Sequence, residues 1–257
     1  MNIIDIQHTP FYQLPFRSSG RKAQVTESSI PYYKVRIDRM PEGITSFAVT
    51  SDLQGRECDN KNRLLGESVA DSLASLVDKS VIDNIDVMLL GGDFYDYPDL
   101  RKLGGTGDVT SVLNAFANNF SYVISVLGNH DIVCDAELSK NVSILDGSVA
   151  SYNGLNIGGV SGIIGNLERN QRKTESQYEN CLDKILNKRP DIFLLHEGPN
   201  DPVNQQRGNS MIRNKIVSNK NGLILFGHSY WEHPYINIGN NHLLNTNRRI
   251  YIFVSDY

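Results

Sequence analysis

The chain has 257 residues, enough for one large domain or two small ones, and its 40% hydrophobic and 21% charged content is that of a soluble globular protein. A net charge of −4 and a pI of about 5.9 leave no electrostatic footprint for a dedicated nucleic-acid binder, although a nuclease's basic groove can be local. Cys58, Cys134 and Cys181 lack metal-ligand spacing and read as free thiols; with no signal peptide and no apolar run of membrane-spanning length, the expected location is cytoplasmic.

Residues 1–42 show no clear periodicity and carry Pro10, Pro15, Pro31 and Pro41. They are expected to form an arm packed on a main domain of residues 43–257, with one edge strand over 32–37. A short apolar strand over 46–52 ends in the carboxylate of Asp52, and Leu53-Gln54-Gly55-Arg56 follows. Leu64, Leu65, Val69, Leu73 and Leu76 then recur at helical spacing. A second strand, 86–93, ends in Gly-Gly-Asp93. Gly104, Gly105 and Gly107 are too many glycines for an element interior and mark a loop, without the spacing of a dinucleotide or P-loop fingerprint.

A helix over 109–118 leads to the apolar strand 122–127, which runs into Gly128-Asn129-His130-Asp131. An amide, an imidazole and a carboxylate in three consecutive positions at the mouth of a buried strand are costly to desolvate unless something binds them. Asn129 and Asp131 suit a turn, but a turn does not explain His130. Residues 142–162 read as two strands around the hairpin signal Asn153-Gly154. After a helix over 176–187, the strand 191–196 ends in His196; a short helix over 211–217 precedes the strand 222–228, which ends in Gly227-His228. Residues 243–245 and 249–254 are expected to close the domain as an antiparallel pair.

Five strands thus end at Asp52, Asp93, Asn129, His196 and His228. In α/β sheets the carboxyl ends of neighbouring strands converge on one crevice, so these groups are expected to meet there. Oxygen and imidazole donors suit Mn, Fe, Zn or Ni. A carboxylate can bridge two ions about 3.5–4 Å apart, the geometry of in-line displacement at phosphorus.

The order of these motifs resembles the calcineurin-like metallophosphoesterase superfamily, whose pattern is Asp-x-His, Gly-Asp-x-x-Asp, Gly-Asn-His-Asp/Glu, a lone His and Gly-His-x-His. This chain has Asp52-Leu53-Gln54, Gly92-Asp93-Phe94-Tyr95-Asp96, Gly128-Asn129-His130-Asp131, His196 and Gly227-His228-Ser229-Tyr230, from about residue 46 onward. The resemblance implies a four-layer α/β sandwich of two central mixed sheets flanked by helices. It implies one or two divalent ions, with Mn the first choice, and hydrolysis of a phosphomonoester or phosphodiester by metal-activated hydroxide. The substrate would be a phosphorylated small molecule or nucleotide.

Carried over, the resemblance makes Asp93 a bridge between two metals. Asn129, His196 and His228 complete one shell; Asp52 belongs to the other. His130, its ring held by Asp131, steadies the phosphate or protonates the leaving group, since a carboxylate partner keeps an imidazole charged. Two positions depart from the pattern: Gln54 stands for a histidine and can ligate only through its amide oxygen, and Tyr230 stands for the closing histidine. A phenol with a pKa of about 10 is a poor ligand. Both losses fall on one metal, with His233 the nearest imidazole that could substitute. A degenerate member that binds a phosphorylated ligand or partner with little turnover is the alternative expectation. Arg56 reads equally as a salt bridge or a phosphate contact, Glu197 as an orienting or a loop residue, Tyr95 and Asn200 as pocket-shaping candidates, and Trp231 as core or pocket wall.

Overall fold

The structure is a computed structural model and describes residues 1–20, 24–102, 104–219 and 222–255. Two mixed sheets lie face to face. The first runs in spatial order Val142–Ile144, Tyr122–Ser125, Val87–Leu90, Ser46–Thr50, Ile250–Ser255, Val25–Ile37, Tyr12–Ser19 and Arg56–Glu57, with Ile3–Ile6 also paired to Val25–Ile37. The second runs Ser148–Tyr152, Leu155–Val160, Ile192–Glu197, Leu223–Gly227, Asn241–Asn245 and Tyr235–Ile238. The four strands from Val142–Ile144 to Ser46–Thr50 are parallel, as are the four from Leu155–Val160 to Asn241–Asn245.

Side-chain alternation explains the layers. In Ser46–Thr50, Phe47 and Val49 enter the apolar layer between the sheets, where Phe47 stacks on Phe253 at 4.4 Å, while Ala48 faces helices Leu65–Asp78 and Thr110–Asn119. On the far face, Glu175–Lys188 and Ser210–Val217 pack against the second sheet through Tyr178, Leu182, Ile185, Ile212 and Ile216. The order is helix, sheet, sheet, helix, the expected four-layer α/β sandwich. Strands covered on both faces must be apolar throughout, which is why the central ones read as unbroken hydrophobic runs. Glu175–Lys188 starts at a capping box in which Thr174 and Gln177 satisfy each other's backbone N–H groups.

Two expectations are corrected. Residues 1–42 supply three strands rather than one edge strand, and Val25–Ile37 lies inside the first sheet between Ile250–Ser255 and Tyr12–Ser19. The prolines that argued against strands sit where a missing N–H costs nothing. Pro15 lies beyond the two residues, Phe16 and Arg17, that pair with Arg56–Glu57, and Pro31 just precedes the register with Ile250–Ser255. The last two strands do not pair with each other. Asn241–Asn245 belongs to the second sheet and Ile250–Ser255 to the first, because the chain crosses between layers at Thr246–Arg249, with Arg248 left-handed at φ 54°. The hairpin at Asn153-Gly154 stands as expected, both residues at positive φ.

Candidate metal centre

The carboxyl ends of the parallel strands in both sheets open on one cleft of about 1330 Å³, whose lining includes Asp52, Gln54, Asp93, His130 and His228. Asp93, His196 and His228 each bring a ligand atom within 4.8 Å of the others. His196 Nδ1 donates to the carbonyl oxygen of Gly91 at 2.8 Å, so Nε2 is the free nitrogen. Nε2 lies 3.5 Å from Asp93 Oδ2 and 3.4 Å from Asn129 Oδ1. The four residues expected to complete one shell therefore meet.

Local backbone makes that approach possible. Asp52, Asp93 and His228 are all left-handed, at φ 57°, 60° and 62°, a conformation uncommon for residues other than glycine, though Asp and His adopt it more readily than most. Gly128 and Gly227 let the chains close up: a Cβ at Gly128 would run into the Asp93 carboxylate, and one at Gly227 into that of Asp52. The backbone N–H of His228 donates to Asp52 Oδ2 at 3.0 Å, and that of His130 to Asp93 Oδ1 at 2.9 Å.

Asp131 does something other than expected. Its carboxylate accepts from the backbone N–H groups of Asp93, Phe94 and Gly128 at 2.7–2.8 Å, so it ties the second and third motifs together and does not hold the His130 ring. The residue directly after His130 points its side chain under the turn, out of reach of that ring. The ring's Nδ1 lies instead 3.2 Å from Thr106 Oγ1.

The electrostatics are those of a site made for a cation. Burial, with the charge of Asp93, pushes the Asp52 carboxyl up to about 7. Burial would raise Asp93 too, but the facing His196 outweighs it and holds that carboxyl below its usual range. Burial would lower His196; Asp93 and Asp52 overcome this and carry it to about 10. Burial and the His196 charge press His228 down to about 4. Buried carboxylates thus recruit positive charge onto one imidazole, and a divalent ion bound by the same groups would displace that proton. Gln54 lines the same cleft, with its amide nitrogen buried and without a hydrogen-bond partner among the described residues. The donor set fits a divalent metal.

The other half of the site is thinner. Asp52, Gln54 and Tyr230 all line the cleft, but Tyr230 is 59% exposed and its ring lies over the Arg249 guanidinium at 4.4 Å. His233 is exposed on the cleft rim and is not part of the close group. Arg56 is neither a solvated salt bridge nor a phosphate contact: it is buried, donating to the carbonyls of Asn62 and Asp96 beneath the Tyr95 ring. Trp231 is core, edge-on to Phe226. Glu197 anchors the backbone N–H of Ile164, and Asn200 and Tyr95 do not line the cleft. Thr106 was missed by sequence reasoning; the only signal was the glycine density on either side of it.

The calcineurin-like phosphoesterase family profile matches residues 45–232, close to three quarters of the chain. No curated protein matches by sequence. Among solved structures, TT1561 of Thermus thermophilus aligns at 16% identity and TM-score 0.56, covering 79% of this chain and 88% of that one, which speaks to fold. The purple acid phosphatase PPD1 from yellow lupin (Lupinus luteus) seeds aligns at 13% identity over 90% of this chain and 47% of its own, with a TM-score of 0.40, too loose a likeness to carry more. With five motifs in order, a matching profile over most of its length and a four-layer sandwich whose strand ends converge, this chain belongs to the calcineurin-like phosphoesterase family.

Proposed function

We propose that this chain hydrolyses a phosphomonoester or phosphodiester of a small molecule or nucleotide, using Asp93, Asn129, His196 and His228 to hold a divalent ion. The observation that carries this reading is the convergence of Asp93, His196 and His228 at the floor of the cleft, with His130 beside them. A divalent ion there supplies Lewis acidity to the phosphate and to the attacking water; Mn is the first choice. The protein's own part is positional. The carbonyl of Gly91 fixes the His196 tautomer, Asp131 fixes the loops that carry Asp93 and Asn129, and the buried Gln54 amide has a donor free for a phosphate oxygen. His130 offers its Nε2 to the leaving oxygen. Two exposed cysteines and a third, half-buried one, all free, favour a reducing compartment. Among the described residues no helix is long and apolar enough to cross a membrane.

A tyrosine at position 230, exposed at the cleft with its ring over Arg249, favours a second reading, a protein that binds its phosphorylated ligand with little turnover. Metal content per chain, measured on protein prepared without chelator, and hydrolysis of p-nitrophenyl and bis-p-nitrophenyl phosphate with added Mn²⁺ separate the two. Bound metal with hydrolysis that collapses in His130→Ala supports the enzyme. Bound metal without turnover at millimolar Mn²⁺ supports the binder, and absence of bound metal under any loading condition overturns both.

A further inference from the structure

The glycine-rich loop before the second helix is a built part of the centre. Its backbone is laid against the third motif: Gly107 N donates to the carbonyl of His130 at 3.1 Å, and Gly107 and Asp108 pair in parallel with Asp131 and Ile132. The glycines allow this approach. A Cβ at Gly105 would lie 2.9 Å from the Tyr97 ring, one at Gly107 would enter the Tyr95 ring, and one at Gly104 would lie 3.3 Å from His130 Cε1. Tyr95 and Tyr97, edge to face at 5.7 Å, are thus the bed on which the strap rests. Between the glycines stands Thr106, whose hydroxyl oxygen is 3.2 Å from His130 Nδ1. Among the described residues no other group hydrogen-bonds that ring, and the Asp131 carboxylate is directed instead at the backbone N–H groups of Asp93, Phe94 and Gly128.

We propose that Thr106 is the positioning residue of His130, its hydroxyl accepting from Nδ1–H so that Nε2 is the nitrogen presented to the cleft. This rests on the phosphoesterase reading above. During hydrolysis a water oxygen bonds to phosphorus as the ester oxygen leaves. The ester oxygen takes the Nε2 proton of the imidazolium, and the ring ends neutral with its remaining proton on Nδ1, still bonded to Thr106. The proton lost by the attacking water later recharges the ring. A hydroxyl can accept from Nδ1–H throughout this step without a charge of its own, so the ring's orientation is kept.

Two measurements test this. Imidazole ¹⁵N spectra of the zinc-reconstituted protein, with His130 assigned by its loss in His130→Ala, should show the neutral ring as the Nδ1–H tautomer. Thr106→Val should return it to the ordinary Nε2–H preference, and Thr106→Ser should restore it. A wild-type ring already in the Nε2–H form, or one unmoved by Thr106→Val, overturns the proposal. In turnover, Thr106→Val should lower kcat on phenyl phosphate about 10-fold, a part of the 10²–10⁴-fold that a positioned acid supplies. KM should stay within about twofold, and 2,4-dinitrophenyl phosphate, whose leaving group needs no proton, should lose less than about twofold. Equal losses on both esters overturn the acid-positioning role. If the wild type hydrolyses neither ester, the proposed function fails while the ring spectra still decide the place of Thr106.

Discussion

One half of the centre is held from every side and the other is not. His196 is fully buried, tautomer-locked by Gly91 and faced by Asp93 and Asn129, whereas Tyr230 lies on the surface with its ring given over to Arg249. Asp52 and Gln54 stand between these extremes, inside the cleft with buried polar groups but without an imidazole to complete a ligand set. The difference teaches that ligand identity and ligand support go together. Where the donors are present, the backbone is forced into left-handed turns and glycines are spent to bring them close. Where the last donor is replaced, the side chain has turned to an ordinary cation–π contact.

The strongest break in this contrast is Asp93→Asn, which removes the carboxylate that meets His196 and His228 and is proposed to serve both halves. Turnover should fall to background and metal affinity by more than the 10–100-fold typical of outer-shell partners, read by metal content and Mn²⁺-dependent hydrolysis. Metal content like that of the wild type would place the ion elsewhere.

Next is the pH response of protein stripped with chelator. Asp52 at about 7 and Asp131 at about 6 bind more protons folded than unfolded above their ordinary carboxyl range, so stability falls as pH rises through that window. His196, carried to about 10, stabilises the fold fully below its unfolded value near 6.5 and loses that contribution as pH rises toward 10. Below pH 6.5 His228, pressed down to about 4, opposes this trend; above it Asp52 and His196 act alone and with one sign, so the metal-free protein should weaken as pH rises from about 6.5 toward 10, by on the order of a few kcal/mol. The Tm gained from added Mn²⁺ should widen over the same range, because the ion replaces those protons. A gap that narrows with pH would show that these groups do not bind it.

Tyr230→His sharpens the weak half. Restoring an imidazole at an exposed position should raise metal stoichiometry and lift turnover about 10-fold, with little change in Tm. No gain in either would mean that the loop geometry, and not the donor alone, has been lost. The smallest effect belongs to Gln54→Ala, expected to raise KM a few-fold for the loss of one hydrogen bond to phosphate while leaving in place the ion held by Asp93, Asn129, His196 and His228. An unchanged KM would take Gln54 out of the site.

Much of the centre was legible because its residues sit at the ends of apolar runs. Val87–Leu90 and Leu223–Gly227 announce themselves as buried strands, and the polar group following each has nowhere to go but the crevice. What stayed hidden depended on contacts across the chain. Nothing local says that the Asp131 carboxylate reaches three N–H groups instead of a ring, or that a threonine 24 residues before His130 reaches its Nδ1. The N-terminal strands were missed because Pro15 and Pro31 signal a break in isolation and lose that meaning beside a one-sided pairing. The final two strands look like a hairpin in sequence; the sheet each joins is decided by partners about 200 residues away in one case and nearby in the other.

That last crossing also sets an order of assembly. Ile250–Ser255 is the seam of the first sheet, antiparallel to Ser46–Thr50 on one side and parallel to Val25–Ile37 on the other. A ribosome must therefore deliver residue 255 before the two portions of that sheet can be joined, and until then each shows an open strand edge. Asp52 and Asp93 follow strands on one side of the seam, so their crevice is walled late, and folding should be slow for a chain of this size, with nascent edges in want of a chaperone.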